Sequence, residues 1–159
     1  MKKFLRWFCC LHWLLPGSAQ NWKGEAVKVP DGDTLHVKQG KKVVKVRLYG
    51  VDCPESRQKH GNQATEFARQ LVLGKKVRVE TMHTDQYGRT VGLVSRGRKM
   101  LNRELVRAGH AWVYPAYCKK QPLCRELGKL EERAKRKKAG LWRDKRPTPP
   151  WEWRKKQHR

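Results

Sequence analysis

A chain of 159 residues with 38 Lys and Arg against 14 Asp and Glu carries a formal net charge of +24 and suits one domain built round one core. So large an excess exceeds what a solvated surface needs. It attracts polyanions, nucleic acid first, with anionic lipid headgroups or polysaccharide as competitors. The apolar run at residues 7–15 falls short of the roughly 20 residues that span a bilayer, and no Cys/His array with zinc spacing occurs.

That apolar run follows Lys2, Lys3 and Arg6 and is broken by Pro16-Gly17, with small residues at Gly17-Ser18-Ala19. A signal peptide over residues 1–19, cut before Gln20, is expected, and with it a secreted or periplasmic destination. A disordered or surface-lying amphipathic N-terminus is the alternative. The mature chain then keeps Cys53, Cys118 and Cys124. The last two bracket a short loop with Pro122 and could pair in an oxidising compartment.

From residue 25 the period is two. Strands are predicted at 25–29, 34–38 and 44–49, where Val44, Val46 and Leu48 alternate with Lys45, Arg47 and Tyr49. Tight turns join them at Asp31-Gly32-Asp33, where Gly32 suits a positive φ, and at Gln39-Gly40-Lys41. Residues 63–73 change period: Ala64, Phe67, Ala68, Leu71 and Val72 form a helical stripe, and Gly74 fits its stop. Strands return at 76–82 and 90–95, followed by helices at 100–108 and 123–138, the latter with Leu123, Leu127, Leu130 and Ala134 on one face. The connections are too short for repeated parallel crossovers. An α+β fold is predicted, a five-stranded antiparallel barrel of the OB type capped by about three helices. Residues 20–142 make the domain. Residues 143–159, with three prolines, two tryptophans and many bases, are expected to be a flexible tail that touches polyanions.

Acids are scarce, so their clustering is informative. In a meander the start of the second strand lies near the end of the third, which brings Asp33 and Asp52 to one rim. Two close carboxylates repel unless a cation lies between them, and oxygen ligands select a hard one. Calcium fits two carboxylates completed by water, with weak affinity of the order of 10⁻⁴–10⁻³ M. Arg47 shares the third strand and Arg89 follows the Tyr87-Gly88 turn. Guanidiniums grip two phosphate oxygens at once, and a metal with arginines round a phosphoryl group stabilises its transition state. Glu55 would then be the general base that takes a proton from the attacking water.

Val29-Pro30-Asp31-Gly32-Asp33-Thr34, Val46-Arg47-Leu48-Tyr49-Gly50-Val51-Asp52-Cys53-Pro54-Glu55, Thr84-Asp85-Gln86-Tyr87-Gly88-Arg89 and Leu101-Asn102-Arg103-Glu104-Leu105-Val106-Arg107-Ala108-Gly109 resemble, in order and spacing, the signature blocks of the staphylococcal nuclease (thermonuclease) family. The resemblance implies an OB-fold nuclease that cleaves DNA and RNA to 3′-phosphate ends. It implies calcium on Asp33, Asp52 and the backbone carbonyl of Cys53, which stands where the family has Thr. It puts the general base on Glu55, phosphate-binding arginines on Arg47 and Arg89, and nucleotide contacts on Tyr87 and Tyr117, whose flat rings can stack on a base. An open groove of this kind favours single strands, and a monomer is expected. A non-catalytic OB module that only holds nucleic acid explains the charge and the barrel as well. It gains nothing from carboxylates facing phosphate.

Overall fold

The computed structural model describes residues 20–157; the expected leader at 1–19 lies outside them. In chain order the strands are β1 (Asn21–Asp31), β2 (Thr34–Gln39), β3 (Lys42–Leu48), β4 (Val51–Asp52), β5 (Lys76–Thr84), β6 (Thr90–Arg96), β7 (Lys99–Met100) and β8 (Trp112–Val113). The helices are α1 (Gly61–Val72), α2 (Leu101–Arg107), α3 (Leu123–Arg136) and α4 (Pro150–Gln157), with a 3₁₀ turn at Gly140–Arg143 between the last two.

The five long strands run β3-β2-β1-β5-β6, and a β3–β6 pairing closes the sheet into a barrel. β1 is longer than its alternation predicts because it serves two partners. Its first half pairs with β5 from Asn21↔Glu80 to Glu25↔Lys76, and its second half pairs with β2 from Glu25↔Lys38 to Asp31↔Thr34. The closing pair is parallel, with Arg47 opposite Val91, so the barrel is mixed and not wholly antiparallel as predicted. The chain between β3 and β5 passes through α1, and this crossover lets β6 enter beside β3 in the same direction.

The inward positions of the strands make the core. Leu35, Val37, Val46, Leu48, Val79 and Val94 are all fully or almost fully buried. Helix α1 closes one end with Ala64, Ala68 and Val72 buried, while Phe67 and Leu71 of the same predicted stripe pack at its margin. Asn102 on α2 is completely buried. It accepts a hydrogen bond from Val94 N–H (3.2 Å) and donates one to the Tyr49 carbonyl (2.9 Å), tying the helix to β6 and to the end of β3. Cys118 and Cys124 are joined by a disulfide. The loop between them is fixed from below by Tyr49, whose hydroxyl accepts the N–H groups of Lys119 and Lys120 (2.9 and 3.0 Å).

Two glycines shape the rim. Gly50 has φ +73° and turns the chain from β3 into β4, a conformation costly for a residue with a Cβ. Gly32 does not have the positive φ expected of it. A Cβ there would lie 2.8 Å from Cys53 Sγ, so the glycine serves close packing of the turn against Cys53.

Residues 143–157 are not the flexible tail their composition suggests. Leu141 and Trp142 are buried against Ala134 of α3. The Thr148 carbonyl accepts a 2.6 Å bond from Gln58 Nε2, and α4 follows directly. Aromatic rings hold the helix: Trp151 stacks on Tyr114 at 4.8 Å with an interplanar angle of 3°, and meets Trp112 edge-on at 5.8 Å.

On the far side of this segment His60 Nε2 lies 2.9 Å from His110 Nδ1, and the His110 ring also packs on Phe67 at 4.5 Å. Two neutral rings can share one N–H; two cations cannot. Burial, then His60, pushes His110 down to about 4, and burial with Arg143 lowers His60. Between about pH 6.5 and 4 the unfolded chain therefore binds a proton that the fold refuses, so stability is present above pH 6.5 and is lost as acid is added. Allowing for the partial exposure of His110, the loss is about 1–2 kcal/mol. The melting temperature is expected to fall between pH 7 and 5 more steeply in the wild type than in His110→Gln; equal slopes would remove the pair from the pH response.

Candidate active site

The residues singled out in the sequence meet at one end of the barrel. Asp33, Arg47, Asp52, Cys53, Glu55 and Arg89, with Tyr87 and Tyr117 at the mouth, all line a cavity of about 680 Å³. Register explains the convergence. Thr34 pairs with Arg47, and Leu48 N–H donates to the Asp33 carbonyl at 2.8 Å, so the turn before β2 is locked to the end of β3. Gly50 then folds β4 back, where Asp52 pairs with Trp112. Parallel closure puts the start of β6 against β3, which delivers Arg89 to the same rim.

Asp33 and Asp52 are 6% and 1% exposed. Arg47 bridges them: Nη1 lies 2.7 Å from Asp33 Oδ1, with its N–H poorly aligned, and Nη2 donates to Asp52 Oδ1 at 2.7 Å. The other Asp33 oxygen accepts the Cys53 N–H at 2.6 Å. Burial pushes the Asp33 carboxyl up, to about 8, against the pull of Arg47 and with help from neighbouring Asp31 and Asp52. Burial alone would lower Arg47, yet Asp33 and Asp52 hold it above its ordinary value.

Arg89 is held by a carboxylate that sequence reasoning did not single out. Asp85 Oδ2 accepts Arg89 Nε at 2.7 Å, while Oδ1 accepts the backbone N–H groups of Tyr87 and Arg89 at 2.9 Å each. Burial works against that carboxylate, but its bonds from Arg89 and Tyr87 keep it below its usual range. Engagement through Nε leaves the terminal nitrogens of Arg89 for another acceptor. An Asp that opens a turn and can accept the N–H two residues on is the local signal for such an arrangement. The Glu55 backbone N–H is held by Gln58 Oε1 at 3.1 Å, and its side chain, 36% exposed, reaches the cavity. Tyr87 is 73% and Tyr117 62% exposed, and Tyr117 leans edge-on against Tyr114 at 4.8 Å.

One functional neighbour was missed entirely. Arg154 of α4 donates to Glu55 Oε1 at 2.6 Å and to Asp52 Oδ2 and Oδ1 at 2.8 and 3.3 Å. Burial would lower its pKa, but the hydrogen bonds to Asp52 and Glu55 hold it above the ordinary arginine value. The available signal was Trp151 and Trp153, since flexible polar segments are poor in aromatics.

The donor set decides which ion would suit the cavity. Burial pushes the Cys53 thiol well above its ordinary value, so it stays protonated and offers only backbone atoms. Among the described residues no three His, Cys, Asp or Glu side chains cluster as a metal cage. Two buried carboxylates with carbonyl and water oxygens suit a hard cation and do not suit zinc. Asp33, Asp52 and Glu55 all line that cavity, and clustered carboxylates of this kind suit a divalent ion.

A basic closed barrel whose rim gathers carboxylates and guanidiniums over an open groove is an OB-type phosphodiester site. The chain belongs to the staphylococcal nuclease family: the family model described as Staphylococcal nuclease homologue matches residues 45–144, more than half of its length. It is 42% identical over 132 residues to an uncharacterized endonuclease of Escherichia coli, covering 82% of this chain and 84% of that one. It is 35% identical over 143 residues to a micrococcal nuclease of Shigella flexneri, covering 84% and 81%. It is 39% identical over 114 residues to the staphylococcal-like nuclease CAN1 of Arabidopsis thaliana, covering 72% of this chain and 34% of the plant protein. The protein is thus a nuclease with nucleic acid as its substrate. Among the described residues no helix is long and apolar enough to cross a membrane.

Proposed function

We propose that this nuclease is an exported, calcium-dependent endonuclease that hydrolyses DNA and RNA to 3′-phosphate ends and works as a monomer. The observation that carries the reading is the convergence of Asp33, Asp52, Glu55, Arg47 and Arg89 on one cavity. Export is supported by the charged and apolar pattern of residues 1–19 and by the Cys118–Cys124 disulfide, a bond that persists in oxidising compartments.

Asp33, Asp52 and the backbone carbonyl of Cys53 are the groups that would hold calcium. When bound, the ion supplies positive charge to the phosphoryl oxygens. Glu55 takes the proton of the water that attacks phosphorus. Arg47 and Arg89, each with N–H groups to spare beyond their carboxylate partners, stabilise the charge that builds on the five-coordinate phosphorus. A 3′-phosphate product means that the bond broken is the one to the 5′ oxygen, so the leaving group departs opposite the attacking water. Tyr87 and Tyr117, exposed at the mouth, offer ring faces to unstacked bases, which favours single strands without reading sequence.

The test is direct. Denatured DNA incubated with the purified protein and calcium is expected to be degraded, and degradation is expected to stop in chelator. The fragments should resist polymerase extension until a phosphatase removes their 3′ phosphates and leaves 3′ hydroxyls. Undiminished cleavage in chelator would remove the metal from the mechanism, and fragments that extend without phosphatase would reverse the bond assignment.

A further inference from the structure

Helix α4 reaches the active-site cavity through Arg154. Arg154 covers Asp52 and Glu55 together, with contacts of 2.6 to 3.3 Å. With Arg47 Nη2 on Oδ1 and Arg154 Nη2 on Oδ2, both Asp52 oxygens already face guanidinium nitrogens. Three residues earlier, Trp151 lies flat on Tyr114, with the two planes 3° apart. Tyr114 lines the cavity beside Tyr117, so an indole occupies an aromatic face on which a base could stack. The helix thus presents a cation to Asp52 and Glu55 and a flat ring to Tyr114.

We propose that α4 is a built-in occupant of the active site, a C-terminal plug whose Arg154 and Trp151 must be displaced before a divalent ion and a nucleotide take their places. This rests on reading Asp52 as an ion ligand and Glu55 as the base.

The plug is built to leave. Pro150 is its one buried residue; Trp151, Trp153 and Arg154 are half-buried, and its other four residues are exposed. Arg154 and Glu55 are 37% and 36% exposed, so their ion pair opens to solvent and contributes modestly, while buried Asp52 releases Arg154 only to another cation. The anchor lies upstream, at the Gln58–Thr148 bond and the buried Leu141 and Trp142, and Pro149 alone separates it from α4. The helix can therefore swing out without disturbing the barrel. Electrostatics makes the exchange mutual. Arg154 already sets a cation on Asp52 and Glu55, and a divalent ion beside it would meet a like charge. Ion binding expels the helix, and a docked helix weakens ion binding; the two effects are one coupling.

Calcium binding measured by titration calorimetry on the full chain tests this without any turnover. If the docked form is populated about nine times in ten, the apparent Kd of the wild type is raised about tenfold, so Arg154→Ala is expected to bind calcium about tenfold tighter. In the wild type, saturating calcium is expected to speed amide exchange across residues 150–157 and leave β2 and β3 unchanged; this measurement needs no variant to fold. In chelator, Trp151→Ala is expected to bind a fluorescent oligothymidylate several-fold tighter. Equal or weaker calcium affinity in Arg154→Ala, with the wild type still cleaving in calcium, overturns the plug and leaves the nuclease reading standing. So does unchanged exchange of residues 150–157, or weaker oligothymidylate binding by Trp151→Ala. If neither protein binds calcium, the metal assignment falls and the plug falls with it.

Discussion

Glu55→Gln is expected to lower turnover by about 10²–10⁴-fold, the range that a positioned general base contributes, while nucleic-acid affinity changes by less than about threefold. Gln keeps the size and one carboxamide oxygen, so the loop held by Gln58 on the Glu55 N–H survives. What it loses is basicity, since an amide cannot take the proton of water near neutral pH. The substitution also weakens the 2.6 Å contact with Arg154, because a neutral acceptor attracts a guanidinium less than a carboxylate does. Binding is therefore expected to be equal or slightly tighter, and the loss should sit in the rate alone. Single-turnover cleavage at saturating enzyme isolates that rate. A variant that cuts as fast as the wild type would take the proton transfer away from Glu55 and return it to solvent or to another acid.

The barrel was legible because alternation is local. Val44, Val46 and Leu48 on one face, and the Ala64-to-Val72 stripe at helical spacing, follow from covalent geometry and need no knowledge of distant chain. The rim was legible for a related reason: a meander of short strands brings the start of the second beside the end of the third whatever fills the core. Asp33 and Arg47 accordingly meet, and Asp52 follows from the turn at Gly50. The parallel closure of β3 on β6 was not legible, because strand direction is set by a crossover whose path depends on how α1 packs. Gly32 was misread because the crowding that requires it comes from Cys53, 21 residues on, and not from its own φ. The docked C-terminus was hardest to see. Its composition is that of a solvated tail, and its attachments (Gln58 to Thr148, Tyr114 to Trp151, Asp52 and Glu55 to Arg154) are single long-range contacts with no period to betray them. A segment held by a few specific contacts carries almost no pattern, and that same economy is what allows it to move.

Arg47→Lys is the other substitution with a large expected effect, and it separates charge from geometry. The wild-type guanidinium spans Asp33 and Asp52 with two nitrogens at 2.7 Å each, and has donors left for phosphate. An ammonium is a point charge; it can sit against one carboxylate or hover between both, but cannot bridge two acids and grip an ester together. Turnover is expected to fall by about 10²–10³-fold, the scale for removing one preorganised donor of transition-state charge. Folding stability is expected to fall by about 3–5 kcal/mol in Arg47→Ala, which leaves two buried acids without the charge between them, and by less in Arg47→Lys. Denaturant melts read the stability and single-turnover cleavage the rate. The decisive comparison is between the two variants. If Lys restores stability and not rate, the bidentate grip is what catalysis uses. If Lys restores both, Arg47 acts only as a counter-charge, and the phosphoryl group must be held by Arg89, whose clamp on Asp85 then becomes the principal positioning contact of the site.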